Sequence, residues 1–194
     1  VDMLAYPDLD PTMHARFLGV VREETAALSQ RVQSVAQAAA SGLKTRWPME
    51  DMRGADLVAA IARRIAADGV LQVRSDAVDA SLWLKVDSFS LMQALASLAT
   101  RLADEFGITR TELRLSAADT RAHLDLVWSG QALSTETAMG WEMDPMRIGA
   151  AHSPLSVRDV VERHGGAFWF ERERVRHEAF FRFLLPLAEA QAHL

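Results

Sequence analysis

Between residues 155 and 186 the hydrophobic period of the sequence changes from helical to alternating, and that change restricts the folds open to the chain. Val157, Val160 and Val161 recur at helical spacing and make one face apolar, while Arg158, Asp159, Glu162 and Arg163 take the other. Gly165-Gly166 then stops the helix, because glycine enters the left-handed conformation at no steric cost. Residues 167–170 and 179–185 read as two strands joined by the charged run 172–178, and the second strand closes on Leu185-Pro186. A helix followed by two adjacent strands needs a larger sheet to join and helices to cover it.

The preceding residues supply both. Residues 49–52 read as a short strand, and 55–67 as an amphipathic helix through Leu57, Val58, Ile61 and Ile65. After the Asp68-Gly69 turn come strands at 70–74 and 82–86. Asp87 then caps a helix over 89–105, and 112–116 and 122–128 pair around Ala118-Asp119-Thr120. Residues 130–149 read as irregular, with one short helical turn after Ser134. The pattern predicts an α+β fold: a mixed sheet covered on one face by helices, occupying residues 47–194.

Residues 1–46 form a separate helical piece. Asp10 is placed to cap it, Pro11 suits its first position, and the pattern continues to about Gly42. Such a helix of roughly 30 residues would be about 45 Å long. Met13, Phe17, Val20, Val21, Leu28, Val32 and Val35 lie along one stripe. That stripe packs either on the rest of the chain or on a partner helix, and its length favours the partner, giving a homodimer. Trp47-Pro48 ends the linker at 43–48.

Bulk properties exclude several function classes. The net charge of −5 across 194 residues gives no basic face for direct nucleic-acid contact. With no cysteine there is neither a disulfide nor a thiolate metal site, which fits a reducing, cytoplasmic location. No apolar run reaches the ~20 residues needed to span a membrane. A start at Val1 rather than methionine leads to the expectation of flanking domains, so this segment can be the cytoplasmic part of a membrane-anchored protein.

The order of elements from Met49 to Pro186, with Val86-Asp-Ser-Phe-Ser-Leu-Met-Gln-Ala-Leu95 and the Gly165-Gly166 block, resembles the ATPase domain of sensor histidine kinases. Phe17-Leu-Gly-Val-Val-Arg-Glu-Glu-Thr-Ala-Ala-Leu28 is similar to the second helix of their dimerisation hairpin. The resemblance implies a Bergerat-type α/β sandwich with magnesium and ATP bound beneath a glycine-rich lid. Where it places two asparagines, one of them holding the metal, this chain has Ser97 and Arg101. A guanidinium has no lone pair for a cation. Where it places Asp-x-Gly-x-Gly, whose aspartate accepts from the adenine amine, Trp128-Ser-Gly-Gln-Ala132 keeps Gly130 but replaces the acid and ends on Ala132. In the lid, Gly149 remains while Ala151 and Ser153 replace glycines, and Pro154 has no N–H for a phosphate. The histidine that accepts phosphate would precede Val1.

A narrower resemblance comes from Trp47-Pro-Met-Glu-Asp-Met-Arg-Gly-Ala-Asp-Leu57, Trp83-Leu-Lys-Val-Asp-Ser-Phe-Ser-Leu91 and Leu124-Asp-Leu-Val-Trp-Ser-Gly130. They look like the degenerate kinase core of certain proteobacterial membrane proteins, which carries a sensor before it and a DNA polymerase III epsilon-type 3′–5′ exonuclease after it. The implied function is a catalytically inactive module for signal relay, dimerisation or regulation of a linked effector. It has no catalytic residue, cofactor or metal, and its partners are the flanking sensor and effector domains. The alternative is a divergent ATP-binding kinase or phosphotransferase.

The remaining features have plainer readings. His14, His123, His152, His164, His177 and His193 are too scattered for zinc, and His164 reads as a cation at a helix end. Asp8, Asp10, Asp76 and Asp79 read as turn acids without partners. Met139, Trp141, Met143 and Met146 fall in the lid segment, and with no nucleotide to cover they are expected to fold down as core, the alternative being an exposed apolar docking patch.

Overall fold

A computed structural model describes residues 18–32, 48–67, 69–148 and 151–189. The chain divides into two compact units, Val1–Arg46 and Trp47–Leu194. In the first, residues 18–32 form helix α1, in which every residue is exposed, including Val20, Val21, Leu28 and Val32. Met13, Phe17 and Val35 of the predicted stripe lie outside the described residues.

The second unit runs β1 (Glu50–Arg53), α2 (Gly54–Ala66), β2 (Gln72–Val78), β3 (Trp83–Val86), α3 (Ser88–Phe106), β4 (Arg110–Ala118), β5 (Arg121–Ser129), α4 (Thr135–Met143), β6 (Pro145–Ile148), β7 (Ala151–Ser156), α5 (Val157–Arg163), β8 (Ala167–Glu173) and β9 (Glu178–Pro186). Its main sheet has the order β2-β4-β5-β9-β8. Strand β2 runs parallel to β4 and all other neighbours are antiparallel, so the sheet is mixed as predicted. Two small antiparallel two-stranded sheets, β1-β3 and β6-β7, complete the unit.

Alternation along the strands decides which side chains meet the helices. Leu113 and Leu115 of β4, Leu124 and Leu126 of β5, and Phe181, Phe183 and Leu185 of β9 are buried on one face. They form one core with Leu57, Val58 and Ile61 of α2 and Leu91, Leu95, Leu98 and Leu102 of α3. Asp87 caps α3 by accepting from the Ser90 N–H, and Gly107 ends it in the left-handed conformation at φ 65°. Ser156 and Asp159 form a reciprocal capping box on α5. Gly166 must lack a side chain, because a Cβ there would run into the Leu184 carbonyl oxygen.

Several sequence expectations are revised. The short helical turn expected after Ser134 is a nine-residue helix, α4, and β6 follows it, so 135–148 is more regular than expected while 130–134 has no regular structure. A helix with little amphipathic contrast gives no periodic signal to read. Strand β2 runs from Gln72 to Val78 rather than over 70–74, and it carries a register shift between Arg74 and Ala77. Asp76 and Asp79 do have partners: Arg74 at 2.7 Å, and the backbone and hydroxyl of Ser81. His164 is no surface cation. It is buried, its Nδ1 hydrogen-bonds the Val160 carbonyl at 2.7 Å, and its Nε2 accepts from the Asp87 N–H at 3.0 Å. Burial holds it below the ordinary imidazole range.

Candidate functional site

The positions that the kinase pattern assigns to metal and nucleotide lie where α3, the end of β5 and the α4–β7 segment converge. Ser97 is buried on α3, and its hydroxyl accepts the Arg147 backbone N–H at 2.9 Å. One turn later, Arg101 donates to Glu105 at 3.0 Å and to Asp144 at 2.9 Å. Its guanidinium carbon stands 4.6 Å from the Trp141 ring centroid, within cation–π range. Only 13% of the Arg101 side chain is exposed, so the cation is largely spoken for.

Trp128 ends β5 inside the core, 2% exposed. Its ring lies 5.1 Å from Phe181 and 6.0 Å from Phe170, and its indole N–H donates to the Gln131 carbonyl at 3.1 Å. An indole at this place donates where the pattern calls for an acceptor. Gly130 follows with φ 123°, a conformation that side chains resist, and Ala132 packs at the edge of the core. Gly149 lies outside the described residues. The Ala151 backbone pairs with Ile148, and buried Ser153 accepts the Leu155 N–H on its own strand.

Trp141 of α4 bridges the two halves of this cluster. It is buried against Phe106 of α3 at 5.8 Å and Phe181 of β9 at 6.1 Å, so Phe181 touches both tryptophans. Met146 is buried as well, whereas Met139 and Met143 point outward, so the expectation that all four fold down holds for two of them. Asp144 and Arg147 are the contributors that sequence reasoning missed. The signal lay in Arg101 itself, a cation on a helix face otherwise buried, which had to find an acid somewhere.

The donor set does not suit a magnesium-bound nucleotide. Arg101 brings positive charge where a divalent cation needs an oxygen ligand. The space between α3 and β9 is filled by the Trp141 ring. An open cleft of about 500 Å3 is lined by Arg74, Ile108, Arg110, Glu112, Trp128 and Glu178 among others; of the candidate positions Trp128 borders it, while Ser97 and Arg101 do not. Among the described residues no His, Asp or Glu cluster could hold a metal ion, and no helix is long and apolar enough to cross a membrane.

No family model matches the sequence. It is 30% identical over 184 residues to a DNA polymerase III subunit epsilon-like protein of Rhodobacter capsulatus, a match covering 94% of this chain and 25% of that protein. The chain thus spans about a quarter of that relative's length. Among solved structures, the ATP-binding domain of PrrB from Mycobacterium tuberculosis superimposes with a TM-score of 0.58 at 15% identity, over 73% of this chain and 98% of that one. A mycobacterial sensor histidine kinase, MprB, gives a TM-score of 0.54 at 19% identity over 71% of this chain and 98% of that chain. The Acinetobacter baumannii histidine kinase AdeS gives 0.56 at 11% identity, over 94% of this chain and 87% of that one. The mixed five-stranded sheet and its covering helices therefore have the fold of histidine-kinase ATPase domains.

Proposed function

We propose that this chain is a catalytically inactive histidine-kinase-like module that relays a signal to, or regulates, a linked effector. The observation that carries the reading is Arg101, a cation paired to Asp144 and Glu105 at the position where the kinase pattern puts a metal-holding asparagine. Phosphoryl transfer from ATP depends on metal ions that neutralise the phosphate charge, and a guanidinium fixed in that place repels them. Trp128, buried, stands where the kinase pattern has the aspartate that accepts from adenine. Similarity to part of a DNA polymerase III epsilon-like protein supports an effector of that type, a 3′–5′ exonuclease domain beyond this chain. The exposed stripe of α1, with Val21, Leu28 and Val32, supports self-association as the means of relay.

Isothermal titration with magnesium ATP tests the reading directly. The expected result is no heat of binding above dilution. A saturable, magnesium-dependent isotherm overturns it in favour of a divergent kinase. Light scattering on the same samples addresses the dimer, and a concentration-independent monomer mass removes that part.

A further inference from the structure

Strand β4 puts Arg110, Glu112 and Arg114 on the face of the sheet away from the helices, because they alternate with Thr111, Leu113 and Leu115, which are buried. Arg114 donates through both terminal nitrogens to Glu178, at 2.9 and 3.0 Å, and to Glu112 Oε2 at 2.8 Å. Glu112 Oε1 and the Arg110 guanidinium have no partner among the described residues. An acceptor and a donor thus stand open two residues apart on one strand face, with about 7 Å between their Cα atoms. Both residues border the open cleft of about 500 Å3. Its apolar wall is Ile108 and Val127, the latter paired directly across from Glu112.

The charges around the cleft decide what it can hold. Arg74 and Arg110 line it together with Glu112 and Glu178, so positive and negative groups balance. Arg74 is tied to Asp76 at 2.7 Å and Glu178 to Arg114, which leaves Arg110 and Glu112 open to a ligand. A polyanion such as a nucleotide meets two carboxylates there, and a bare cation meets two guanidinium groups. A molecule carrying both charges a few bonds apart satisfies both. We propose that the cleft binds a small zwitterion of the α-amino-acid class, with its carboxylate on Arg110, its ammonium on Glu112 and an apolar side chain against Ile108 and Val127. A guanidinium presents paired N–H groups to a carboxylate, and an ionised acceptor strengthens the bond from an ammonium. The Arg114 bridge holds Glu112 in place before the ligand arrives, which lowers the ordering cost of binding. The cleft volume falls within the range of small-molecule sites. Neither charged group belongs to the kinase pattern, so this input stands apart from the nucleotide positions and does not rest on their being inactive.

The test titrates the full chain with L-leucine, N-acetyl-L-leucine and L-leucinamide, which share one side chain but carry both charges, only the carboxylate and only the ammonium. L-leucine is expected to bind saturably, and each blocked derivative about tenfold or more weaker. Arg110→Ala and Glu112→Gln should each weaken L-leucine binding by a similar factor. No saturable binding of L-leucine up to roughly 10 mM overturns the proposal. So does N-acetyl-L-leucine binding as tightly as L-leucine, which would make Arg110 a plain anion site, or L-leucinamide doing so, which would make Glu112 a plain cation site. Full affinity in either variant overturns it as well. Arg110 is exposed, so its variant is expected to keep native circular dichroism. If Glu112→Gln loses its fold with the Arg114 bridge, Arg110→Ala and the two blocked derivatives decide alone.

Discussion

The two faces of the five-stranded sheet are stabilised by different physics. The face under α2 and α3 is apolar and close-packed, with Phe181, Phe183, Leu113 and Leu124 wholly buried. The opposite face is held by ions: Arg182 makes a two-pronged bond to Asp125 directly across the strand pair, at 2.7 and 2.6 Å. On the same side Arg114 joins Glu112 at 2.8 Å to Glu178 at 2.9 Å, bridging β4 and β9, which flank β5. Arg182 also lies over the Phe180 ring at 4.7 Å and so shields an apolar residue from water. Burial on the covered face scales with area and tolerates exchange of one hydrocarbon for another. The open face depends on matched partners, and losing one member costs more than losing both.

Phe181→Ala tests the covered face and should have the largest effect. The ring touches Trp128, Trp141, Phe168 and Phe170, so its removal opens a cavity among four aromatic rings. A loss of about 3–5 kcal/mol is expected, measured by urea denaturation. A loss below about 1 kcal/mol would mean that the two tryptophans repack freely and the covered face is not rigid.

Asp125→Ala tests the open face. It leaves the Arg182 guanidinium only partly exposed and without its carboxylate, so about 2–3 kcal/mol should be lost. The double variant Asp125→Ala with Arg182→Met should recover roughly half of that, because Met restores an apolar stem over Phe180 without a stranded charge. If the double variant is less stable than the single one, the open face is held by contacts other than matched charge, and the contrast between the faces fails.

How far each face could be read from sequence follows from the same contrast. Apolar residues two apart in β4, β5 and β9, and at helical spacing in α2 and α3, carry their own positional code, so the covered face and the fold class were legible. Pairing across strands carries no such code. Nothing near Asp125 names Arg182, 57 positions away, and nothing near Arg101 names Asp144. The candidate site was therefore legible by exception: the residues that broke the kinase pattern were visible, while the lid contacts that employ them were not. Helix α4 was read as a single turn because it mixes inward Trp141 and outward Met139 and Met143 without a clean stripe. Thr111 marks a local departure, a buried hydroxyl on the covered face with no hydrogen-bond partner, and nothing in the sequence distinguishes it from a satisfied threonine.

The third prediction concerns a polar group in the covered layer that is fully satisfied, and its effect should be the smallest of the three. His164 joins the end of α5 to the cap of α3, with Nδ1 on the Val160 carbonyl and Nε2 accepting from the Asp87 N–H. One nitrogen must donate and the other accept, so the neutral ring fits and the protonated ring does not. Asp87 and Arg163 lie beside it and act in opposite directions, which leaves burial as the dominant influence and the pKa lowered. The unfolded chain therefore takes up a proton that the folded chain refuses. The stabilising contribution is complete above about pH 6.5 and is lost as pH falls from there toward the depressed folded value. Glu178, held low by Arg114, adds a loss of the same sign that begins only below the ordinary carboxylate range near 4. Urea midpoints measured at pH 7.5, 6.5 and 5.5 should decline for the wild-type chain and change less for His164→Gln, whose amide can both donate and accept without titrating. Equal declines in the two chains would show that the imidazole is as free to protonate when folded as when unfolded, and the α3–α5 joint would then be no more than a contact between helix ends.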